Sequence, residues 1–421
     1  MAASYSASYS ENRHGGAAGR LEQAVRSLFG VDLPVGLTAW DGSSAGPADG
    51  PRVLLRNRRA LRHVLYAPGE LGLARAFVSG DLEVEGDLAE GLRRCWELAG
   101  VAARRPGRLG LARWALLLRT AIGLGVLGPR PRRPASEARP RGVPHSRRRD
   151  RAVIAHHYDA GNEFYEFLLD PRLAYSSGYW TSDDPGYTLA DAQEDKLELI
   201  CRKLSLTEGT RLLDVGCGWG SLTCYAAERH GVRVTGVTLS ARQAEFVRSR
   251  AAELGVADRV EVRLEDYREL DGARYDAIAS IETGEHVGEV NYPVYAATLH
   301  RMLRPHGYLL LQQMSRPGPA PGGGAFIESY IAPDMSMVPV SRTLDHLERA
   351  GFEIRGVEAM REHYVRTGRA WTATLERQWS EAVSLIGIEQ ARVWLLYLAG
   401  GTLAFEDNRM GVNQVLARKV G

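Results

Sequence analysis

The segment that most constrains this chain is residues 211–220, Arg-Leu-Leu-Asp-Val-Gly-Cys-Gly-Trp-Gly. An apolar run ends at Asp214, three glycines follow at alternate positions, and a helical pattern begins at Ser221. Glycine permits positive φ angles and close approach of the backbone to a ligand, and a helix N-terminus offers unpaired N–H groups. The segment therefore predicts a strand, a tight turn and a helix that bind a nucleotide-like cofactor. It does not by itself distinguish NAD, FAD and S-adenosylmethionine (SAM).

The spacing of the glycines narrows the choice of cofactor. Dinucleotide-binding turns have the pattern G-x-G-x-x-G, and an acidic residue after the next strand holds the ribose. Here the pattern is G-x-G-x-G, and the next predicted strand, 232–238, continues into Leu239-Ser240 without a carboxylate. An Asp-x-Gly-x-Gly-x-Gly segment after a strand resembles the SAM site of class I methyltransferases. The glycine turn, residues 214–220, is therefore predicted to bind SAM.

Composition and charge exclude several classes of protein. With 421 residues and 44% hydrophobic residues, the chain is long enough for two domains and a large core. A net charge of +2 gives no field that favours nucleic acid, so no nucleic-acid partner is expected. The cysteines show no metal-ligand spacing, and His156-His157 lacks a third ligand, so no metal site is expected. Free thiols without an export signal favour the cytoplasm.

Four segments differ in composition along the chain. Residues 1–19 are small and polar and predict a disordered tail, and residues 20–128 predict an N-terminal lipid- or membrane-associated domain. Residues 129–151 are rich in arginine and proline and predict a linker. Residues 152–421 alternate between helical and strand-like patterns and predict the SAM-dependent methyltransferase domain.

The N-terminal domain is expected to mix helices and strands. Helical spacing covers residues 21–29, 71–78 and 88–98, and residues 53–55 are strand-like. The acidic, turn-rich residues 80–87 predict a structural corner. Residues 109–128 are apolar but too short and too charged to span a membrane. Together with the arginine-rich stretch they either lie on an anionic membrane surface or form an ordinary helix followed by a solvated linker.

The alternation after residue 152 predicts a mostly parallel, doubly wound α/β sheet, the class I SAM-methyltransferase fold, beside a smaller mixed N-terminal domain. The predicted strands are residues 211–215, 232–237, 260–264, 275–280, 308–312 and 352–357. The predicted helices are residues 192–203, 222–229, 241–254, 293–303 and 340–350. Ligands of such sheets bind outside the carboxyl ends of the strands.

Polar residues at these strand ends are the candidate site. Ser240 is suited to cap a helix, Gln243 to bind ribose hydroxyls, and the segment after residue 264 to bind adenine. The octet 281–288, with two carboxylates and an imidazole at a strand end, is a catalytic candidate. The residues predicted to bind SAM are Tyr175, Ser176, Asp214, Gly216, Gly218, Trp219, Gly220, Thr238, Ser240, Gln243, Glu265 and Asp266. In this octet Glu282, Glu285 and His286 are predicted to be catalytic, and a family resemblance carried by several stretches of the chain implies that Tyr364, Gln312 and Ser177 belong with them.

Several of these stretches together resemble the cyclopropane-fatty-acyl-phospholipid synthase family. They are His157-Tyr158-Asp159, Tyr175-Ser176 with Gly178-Tyr179-Trp180, Gln193 with Lys196, residues 213–220, residues 236–240 with Gln243, Asp266-Tyr267-Arg268, and Glu285-His286-Val287-Gly288. The resemblance covers about the C-terminal two-thirds of the chain. It implies that the π electrons of a cis double bond in a phospholipid acyl chain attack the methyl group of SAM. A base then takes a proton from the resulting carbocation, in an apolar, water-excluding site.

The chain departs from the family at the residues that hold a bicarbonate base. By the resemblance, Ser177 stands at a family cysteine, Gln312 at a histidine, and Gly401 at a C-terminal cysteine. The family's pocket glutamate and tyrosine correspond to Glu285 and Tyr364. Glu282 is an added carboxylate where the family commonly has a small residue. These differences suggest that Glu282 or Glu285 is the base and that bicarbonate is not needed.

The segment 312–331 resembles the branch of actinobacterial enzymes that convert oleoyl phospholipids to 10-methylene acyl chains of the tuberculostearate pathway. The resemblance implies phospholipid acyl chains at the inner membrane face as partners, a separate flavin- or NADPH-dependent reductase, and a homodimer. Three alternatives stay open at this point: a cyclopropane synthase, a non-catalytic lipid-binding protein with a SAM fold, and a small-molecule methyltransferase.

Overall fold

The computed structural model describes residues 16–103, 111–138, 142–147, 149–150, 161–272, 274–318 and 323–421. The chain divides into two compact units. The first extends to Glu137 and includes Gly387–Leu403, and the second comprises Ala138–Ile386 and Ala404–Gly421. Most of the predicted tail and His156-His157 lie outside the described residues, but the last residues of the tail begin the helix Ala17–Phe29.

The first unit is a small mixed sheet covered by helices. Its strands, β1 to β4, lie in the order β2-β1-β3-β4. Their bounds are Gly36–Thr38, Ser44–Ala45, Arg52–Leu55 and Leu82–Glu85. Its helices are Ala17–Phe29, Arg59–Tyr66, Glu70–Val78, Leu88–Ala103 and Leu111–Gly123. The core gathers small and aliphatic side chains around Leu37, Leu55 and Phe77.

The prediction of a structural corner at residues 80–87 is wrong. Leu82–Glu85 is β4, which pairs antiparallel with β3 so that Val84 lies opposite Val53. Leu82 is buried in the core, whereas Glu83 forms ion pairs with Arg56 and Arg392. The segment is therefore an alternating strand whose outward Glu83 carboxylate is neutralised by arginines, and the acidic composition concealed its period of two.

The start of the arginine-rich stretch is packed, whereas a solvated linker was expected. Glu137 is buried and accepts two hydrogen bonds from Arg75, at 2.8 and 2.6 Å. Arg75 is itself buried in the helix Glu70–Val78. A bidentate arginine–carboxylate pair satisfies both charges, which is the condition for burying them. The residues that end the first unit are thus held by this pair.

The second unit is built on a seven-stranded sheet in the order β10-β11-β9-β8-β5-β6-β7. The strands β5 to β11 are Arg211–Val215, Arg233–Thr238, Val260–Leu264, Tyr275–Ile281, Leu303–Ser315, Phe352–Ala359 and Gly411–Lys419. The pairs among β5 to β9 are parallel, and β11 is antiparallel to both of its neighbours. The predicted α/β fold is confirmed, and each predicted strand of this domain is present.

Helices flank this sheet. Those wholly within the second unit are Asn162–Leu168, Leu189–Lys203, Ser221–His230, Ala241–Glu253, Gly284–Val287, Tyr292–Met302, Ala325–Tyr330, Val340–Arg349 and Arg361–Arg377. The C-terminal elements after residue 360 were not predicted. They include the helix Trp379–Glu406, which has non-helical backbone angles at Gly387.

Among the described residues, Trp379–Glu406 is the one helix whose length and composition would allow it to cross a membrane. Core helices of globular proteins pass the same test, and the break at Gly387 (φ 76°, ψ 156°) interrupts the apolar run. The helix is therefore not evidence that the chain crosses a membrane.

Candidate active site

A cavity lies at the carboxyl ends of β5, β6 and β8, with the end of β7 beside it. It is lined by residues that follow or end these strands and by the segment before the helix Leu189–Lys203. The predicted site residues that line it are Tyr175, Ser176, Asp214, Gly216, Gly218, Trp219, Thr238, Gln243, Glu265, Glu282 and His286. The predicted residues outside its lining are Gly220, Ser240, Asp266, Ser177, Gln312, Glu285 and Tyr364.

The glycine turn forms the floor between β5 and β6. The N–H groups of Gly216 and Cys217 both donate to the carbonyl of Val237, at 2.9 and 3.0 Å, which ties the turn to the end of β6. Gly216 has φ 81°, and a Cβ there would lie 2.0 Å from Thr283 Oγ1. A larger residue would both strain the backbone and displace the segment after β8. Gly216 therefore lets three strand ends converge.

Asp214 and Lys196 are two buried residues of the lining whose charges act on each other. Burial raises the pKa of Asp214 to about 6, although Thr223 donates to its carboxylate at 2.8 Å. Burial lowers the pKa of Lys196 to about 8, and nearby carboxylates oppose that shift. Lys196 Nζ donates to Ser176 Oγ at 2.8 Å. Lys196 belonged to a quoted family motif but was not predicted to be a site residue, because a lone lysine on a helix is usually exposed.

Gln243 presents an unused donor to the cavity. Thr238 Oγ1 donates to Gln243 Oε1 at 2.7 Å, which fixes the amide orientation. Gln243 Nε2 is then a buried N–H group without a partner among the described residues. Ser240 caps the helix Ala241–Glu253 by accepting from the N–H of Gln243, and so holds this side chain in place. An unpaired buried donor costs free energy unless a ligand accepts from it.

Glu265 and Asp266 have different environments. Glu265 lines the cavity next to Tyr267. Asp266 is fully buried and accepts from Arg268 Nε and Nη2, at 2.7 and 2.6 Å, instead of lining the cavity. The Arg268 guanidinium and backbone N–H hold the pKa of Asp266 below its usual range. The paired guanidinium holds the Asp266 carboxylate and shapes the loop, and the predicted contact of Asp266 with the cofactor stays a prediction.

Glu282 is a buried carboxylate held by donors from three segments. Its Oε1 accepts from the Ser177 N–H at 3.0 Å and from Gln312 Nε2 at 2.8 Å. Its Oε2 accepts from the Tyr364 hydroxyl at 2.9 Å. Burial raises the pKa of Glu282, while these hydrogen bonds and the Lys196 cation lower it again. Glu282 also has φ 49°, a left-handed conformation that aims its side chain from the end of β8.

Glu285 is more deeply buried than Glu282, at 1% exposed, but fewer protein groups donate to its carboxylate. Its Oε1 accepts from the N–H of Met314, and its Oε2 has no partner among the described residues. Burial, together with the charge of Glu282, raises the pKa of Glu285 to about 8. Of the two glutamates, Glu282 lines the cavity and Glu285 lies behind it.

The remaining predicted catalytic residues play different parts. His286 lines the cavity. The Ser177 hydroxyl donates to the carbonyl of Gly178, and only its backbone N–H reaches Glu282. Among the described residues no cluster of three or more His, Cys, Asp and Glu could hold a metal ion. The site therefore combines acid–base groups with a small-molecule cavity.

The cavity fits SAM. Gln243 Nε2 is placed to donate to a ribose hydroxyl. At Gly218 a Cβ would meet nothing within 4 Å, so open space faces the turn. Glu265 and Tyr267 offer a carboxylate and a ring for adenine. With the parallel sheet and the glycine turn, these features define a class I SAM-dependent methyltransferase.

The chain belongs to the mycolic acid cyclopropane synthetase family, whose sequence model matches residues 145–415. It is 40% identical to a probable fatty acid methyltransferase of Mycobacterium tuberculosis over 418 residues, 96% of each chain. It is 30% identical to a tuberculostearic acid methyltransferase of the same organism over 397 residues, 91% of this chain and 87% of that one. A mycolic acid cyclopropane synthase solved with SAH and CTAB superposes with a TM-score of 0.60 and 31% identity, covering 64% of this chain and 98% of that one.

These similarities make the chain a SAM-dependent lipid methyltransferase and confirm SAM as its methyl donor. The alternatives of a non-catalytic lipid-binding protein and of a small-molecule methyltransferase are therefore set aside.

Proposed function

We propose that this enzyme methylates the cis double bond of oleoyl chains in phospholipids and releases a 10-methylene product. The observation that carries the proposal is the Glu282 carboxylate, which lines the cofactor cavity and is held by three hydrogen-bond donors. The relatives named as fatty acid and tuberculostearic acid methyltransferases support the same acyl chemistry. Phospholipid as the carrier of the acyl chain rests on the family resemblance.

The proposed reaction has three steps. SAM, when bound, supplies an electrophilic methyl group. The alkene π electrons form a bond to that methyl while its bond to the sulfonium sulfur breaks and S-adenosylhomocysteine leaves, and the neighbouring chain carbon becomes cationic. A hydride then shifts from the methylated carbon to that cation, which places the positive charge beside the new methyl. Glu282 takes a proton from this methyl, and the C–H electrons become the exocyclic double bond.

The chain's own residues fit these steps. The donors on Glu282 and the Lys196 cation oppose the rise in its pKa that burial causes, which favours the ionised form that a base needs. They also hold it in one orientation, without need of bicarbonate. Tyr175, Trp219 and Tyr267 line the cavity and offer aromatic faces that tolerate a nearby cation.

The order of hydride shift and proton loss separates the proposal from the second candidate, a cyclopropane synthase, which the family description favours. If the proton leaves before any hydride shift, the ring closes to a cyclopropane of the same mass. Proton NMR of the lipid formed from dioleoyl phosphatidylglycerol and SAM distinguishes the two. Vinylic methylene signals support the proposal, and high-field cyclopropane signals contradict it.

The proposed product also defines a following step. Reduction of the methylene to a 10-methyl branch needs a hydride and a proton, which methyl transfer does not supply. A separate flavin- or nicotinamide-dependent reductase is therefore part of the proposal.

Substitution of Gln243 by leucine tests the proposed ribose contact. The variant removes both the Nε2 donor and the acceptor of Thr238. We expect the dissociation constant of SAM to rise about tenfold, the value of one or two hydrogen bonds. Isothermal titration calorimetry measures it. The control Gln243→Glu keeps oxygens that accept from Thr238 and from a ribose hydroxyl, so it should bind SAM better than the leucine variant. Equal affinities in the two variants would contradict the contact.

We also propose that the enzyme acts as a peripheral protein at the cytoplasmic face of an anionic membrane, through a surface of the first unit. Tyr66, Ile122 and Leu127 are exposed apolar side chains there, between 44% and 58% accessible. The Tyr66 hydroxyl donates to the carbonyl of Gly128, which places that ring beside Leu127. We call these three residues, with Arg20, Arg58 and Arg62, the docking surface.

Arginines alternate with the apolar side chains of the docking surface. Arg20 donates to the carbonyl of Gly123 and Arg62 to that of Val126, each at 2.8 Å. The guanidinium of Arg58 lies against Gly125. No Asp or Glu occurs between residues 51 and 69 or between 104 and 136. All residues of the docking surface except Arg20, which shares its helix with Glu22, lie in these two stretches. Cationic and apolar groups in stretches free of acidic residues suit an anionic lipid surface.

The double variant Ile122→Ser/Leu127→Ser tests the docking surface. We expect its affinity for phosphatidylglycerol vesicles to fall about tenfold or more, because two half-exposed aliphatic side chains no longer enter the lipid. Co-sedimentation at several salt concentrations measures binding. Val290→Ser, which removes an 89% exposed apolar side chain of the second unit, is the control. Unchanged binding in the double variant, or an equal loss in the control, would reject this surface.

A further inference from the structure

A line of hydrogen bonds runs from a half-exposed lysine to Glu282. Lys203 Nζ donates to Gln414 Oε1 at 2.7 Å. Gln414 Nε2 donates to Gln312 Oε1 at 3.0 Å, and Gln312 Nε2 donates to Glu282 Oε1 at 2.8 Å. Both glutamines are 1% exposed, and they face each other across the antiparallel pair β11–β9. No part of this line beyond Gln312 and Glu282 was predicted.

The direction of every bond in this line follows from its outer end. An ammonium group has donors and no acceptor, so the Gln414 atom facing Lys203 must be the oxygen. The Gln414 amide nitrogen then faces Gln312, which forces the Gln312 oxygen toward Gln414. The Gln312 nitrogen is thereby left facing Glu282. Lys203 also forms an ion pair with Glu358, which holds the ammonium at this position.

We propose that Lys203 and Gln414 are positioning residues that lock the Gln312 amide as a donor to Glu282 and so keep this carboxylate ready to accept a proton. The inference rests on the base role proposed for Glu282. Neither residue lines the cavity, so both act through Gln312. A glutamine whose amide were free to turn would place its oxygen against the carboxylate for part of the time.

Other charged and titratable groups also act on Glu282. Lys196 faces it from the helix Leu189–Lys203, and Tyr364 donates to it from Arg361–Arg377. The charge of Glu282 also acts on Glu285, which lies in the helix Gly284–Val287. The charges of Asp170 and Asp214 act on Lys196. The test must therefore change the amide line and leave these groups in place.

The substitution Gln414→Glu changes the line of amide hydrogen bonds with a side chain of the same shape and leaves the other charged groups in place. One carboxylate oxygen still accepts from Lys203, but the other now faces Gln312 Oε1, and neither can donate. The Gln312 amide must turn, so that its oxygen opposes Glu282. We expect Glu282 to titrate higher by on the order of one pH unit, the effect of one hydrogen bond to a charged group. The pH dependence of kcat should move to higher pH by the same amount, with KM for SAM unchanged.

The titration is read directly by carbon NMR of the full chain labelled at glutamate Cδ, with Glu282→Gln assigning the signal. This readout does not depend on turnover. Normal activity of Glu282→Gln would reject the base role alone, whereas the NMR shift tests the hydrogen-bond line alone. Asn413→Asp is the matched control, because it makes the same change one residue away, where the amide donates to Ser315.

Lys203 extends the test to the outer end of the line. Lys203→Met should shift the Glu282 titration in the same direction and by less, and Lys203→Arg, which restores a donor, should return it toward the wild-type value. An unshifted Glu282 titration in Gln414→Glu overturns the proposal. An equal shift in Asn413→Asp does so too, because it would assign the effect to added charge.

Discussion

Replacing Glu282 by glutamine is expected to lower kcat by about a thousandfold, within the range for loss of a positioned general base. An amide is nearly isosteric with the carboxylate: its oxygen can still accept from the Ser177 N–H and Gln312 Nε2, and its NH2 group can donate to the Tyr364 hydroxyl oxygen. It cannot accept the proton that must leave the methylated acyl chain. The affinity for SAM should change by less than threefold, since Glu282 contributes a base and not a cofactor contact.

Methyl transfer from labelled SAM to dioleoyl phosphatidylglycerol vesicles measures this effect, and calorimetry measures SAM binding. Glu265→Gln is the matched control, because it removes another carboxylate from the lining of the same cavity. That control should raise KM for SAM and leave kcat within a fewfold. Wild-type turnover by Glu282→Gln would exclude Glu282 as the base.

The local pattern of the sequence was sufficient to predict the strands and turns of the parallel part of the second unit. The predicted strand at 211–215 coincides with β5, and the turn after it has the expected positive φ angles. Each of these elements carries its own signal, a short apolar run followed by glycines or by a helical period. The residues at the ends of β5, β6 and β8 could therefore be placed around one cavity before the structure was known.

Elements whose partners are distant in sequence were missed. The strand β11 pairs with β9 and β10, and its partners are separated from it by long stretches of chain. The helix Trp379–Glu406 contributes Gly387–Leu403 to the first unit, although the prediction assigned the whole C-terminal segment to one domain. Such pairings depend on the tertiary fold, because the local periodicity of an apolar segment does not predict which other segment it will pair with.

The candidate site shows the same division. The family resemblance placed Gln312 and Tyr364 near the reaction, and both donate to Glu282. Side-chain direction could not be read from the sequence, so Asp266 was predicted to bind the cofactor although it pairs with Arg268. The sequence also offered Glu282 and Glu285 as equal candidates for the base. What separates them is the number of donors around each carboxylate, which only the structure supplies.

Glu285 is expected to make stability depend on pH. Its pKa is about 8 in the folded protein, against 4.5 for the free side chain. A group whose pKa is raised by folding stabilises the native state fully below its unfolded pKa, and that contribution is lost as pH rises toward the folded pKa. The free energy of unfolding should therefore fall between about pH 5 and pH 8, by up to a few kcal/mol from this group.

Glu285→Gln isolates this effect. The amide resembles the neutral acid and can still accept from the Met314 N–H, so the variant should match the wild-type protein near pH 5. It should become more stable than the wild-type protein toward pH 8, since no buried carboxyl ionises. Urea unfolding at several pH values measures the difference, with the surface substitution Glu348→Gln as control. A difference that is constant with pH would contradict the raised pKa.

The same pH dependence bears on the choice of base. If Glu285 is protonated at neutral pH, its negative charge is absent and no longer opposes ionisation of Glu282. The hydrogen bonds to Glu282 and the Lys196 cation then favour a negative charge on the carboxylate that faces the cavity. Glu285→Gln should accordingly retain most of its kcat at pH 7, whereas Glu282→Gln should not. A comparable loss in both variants would show that the two carboxyls share one proton and act together.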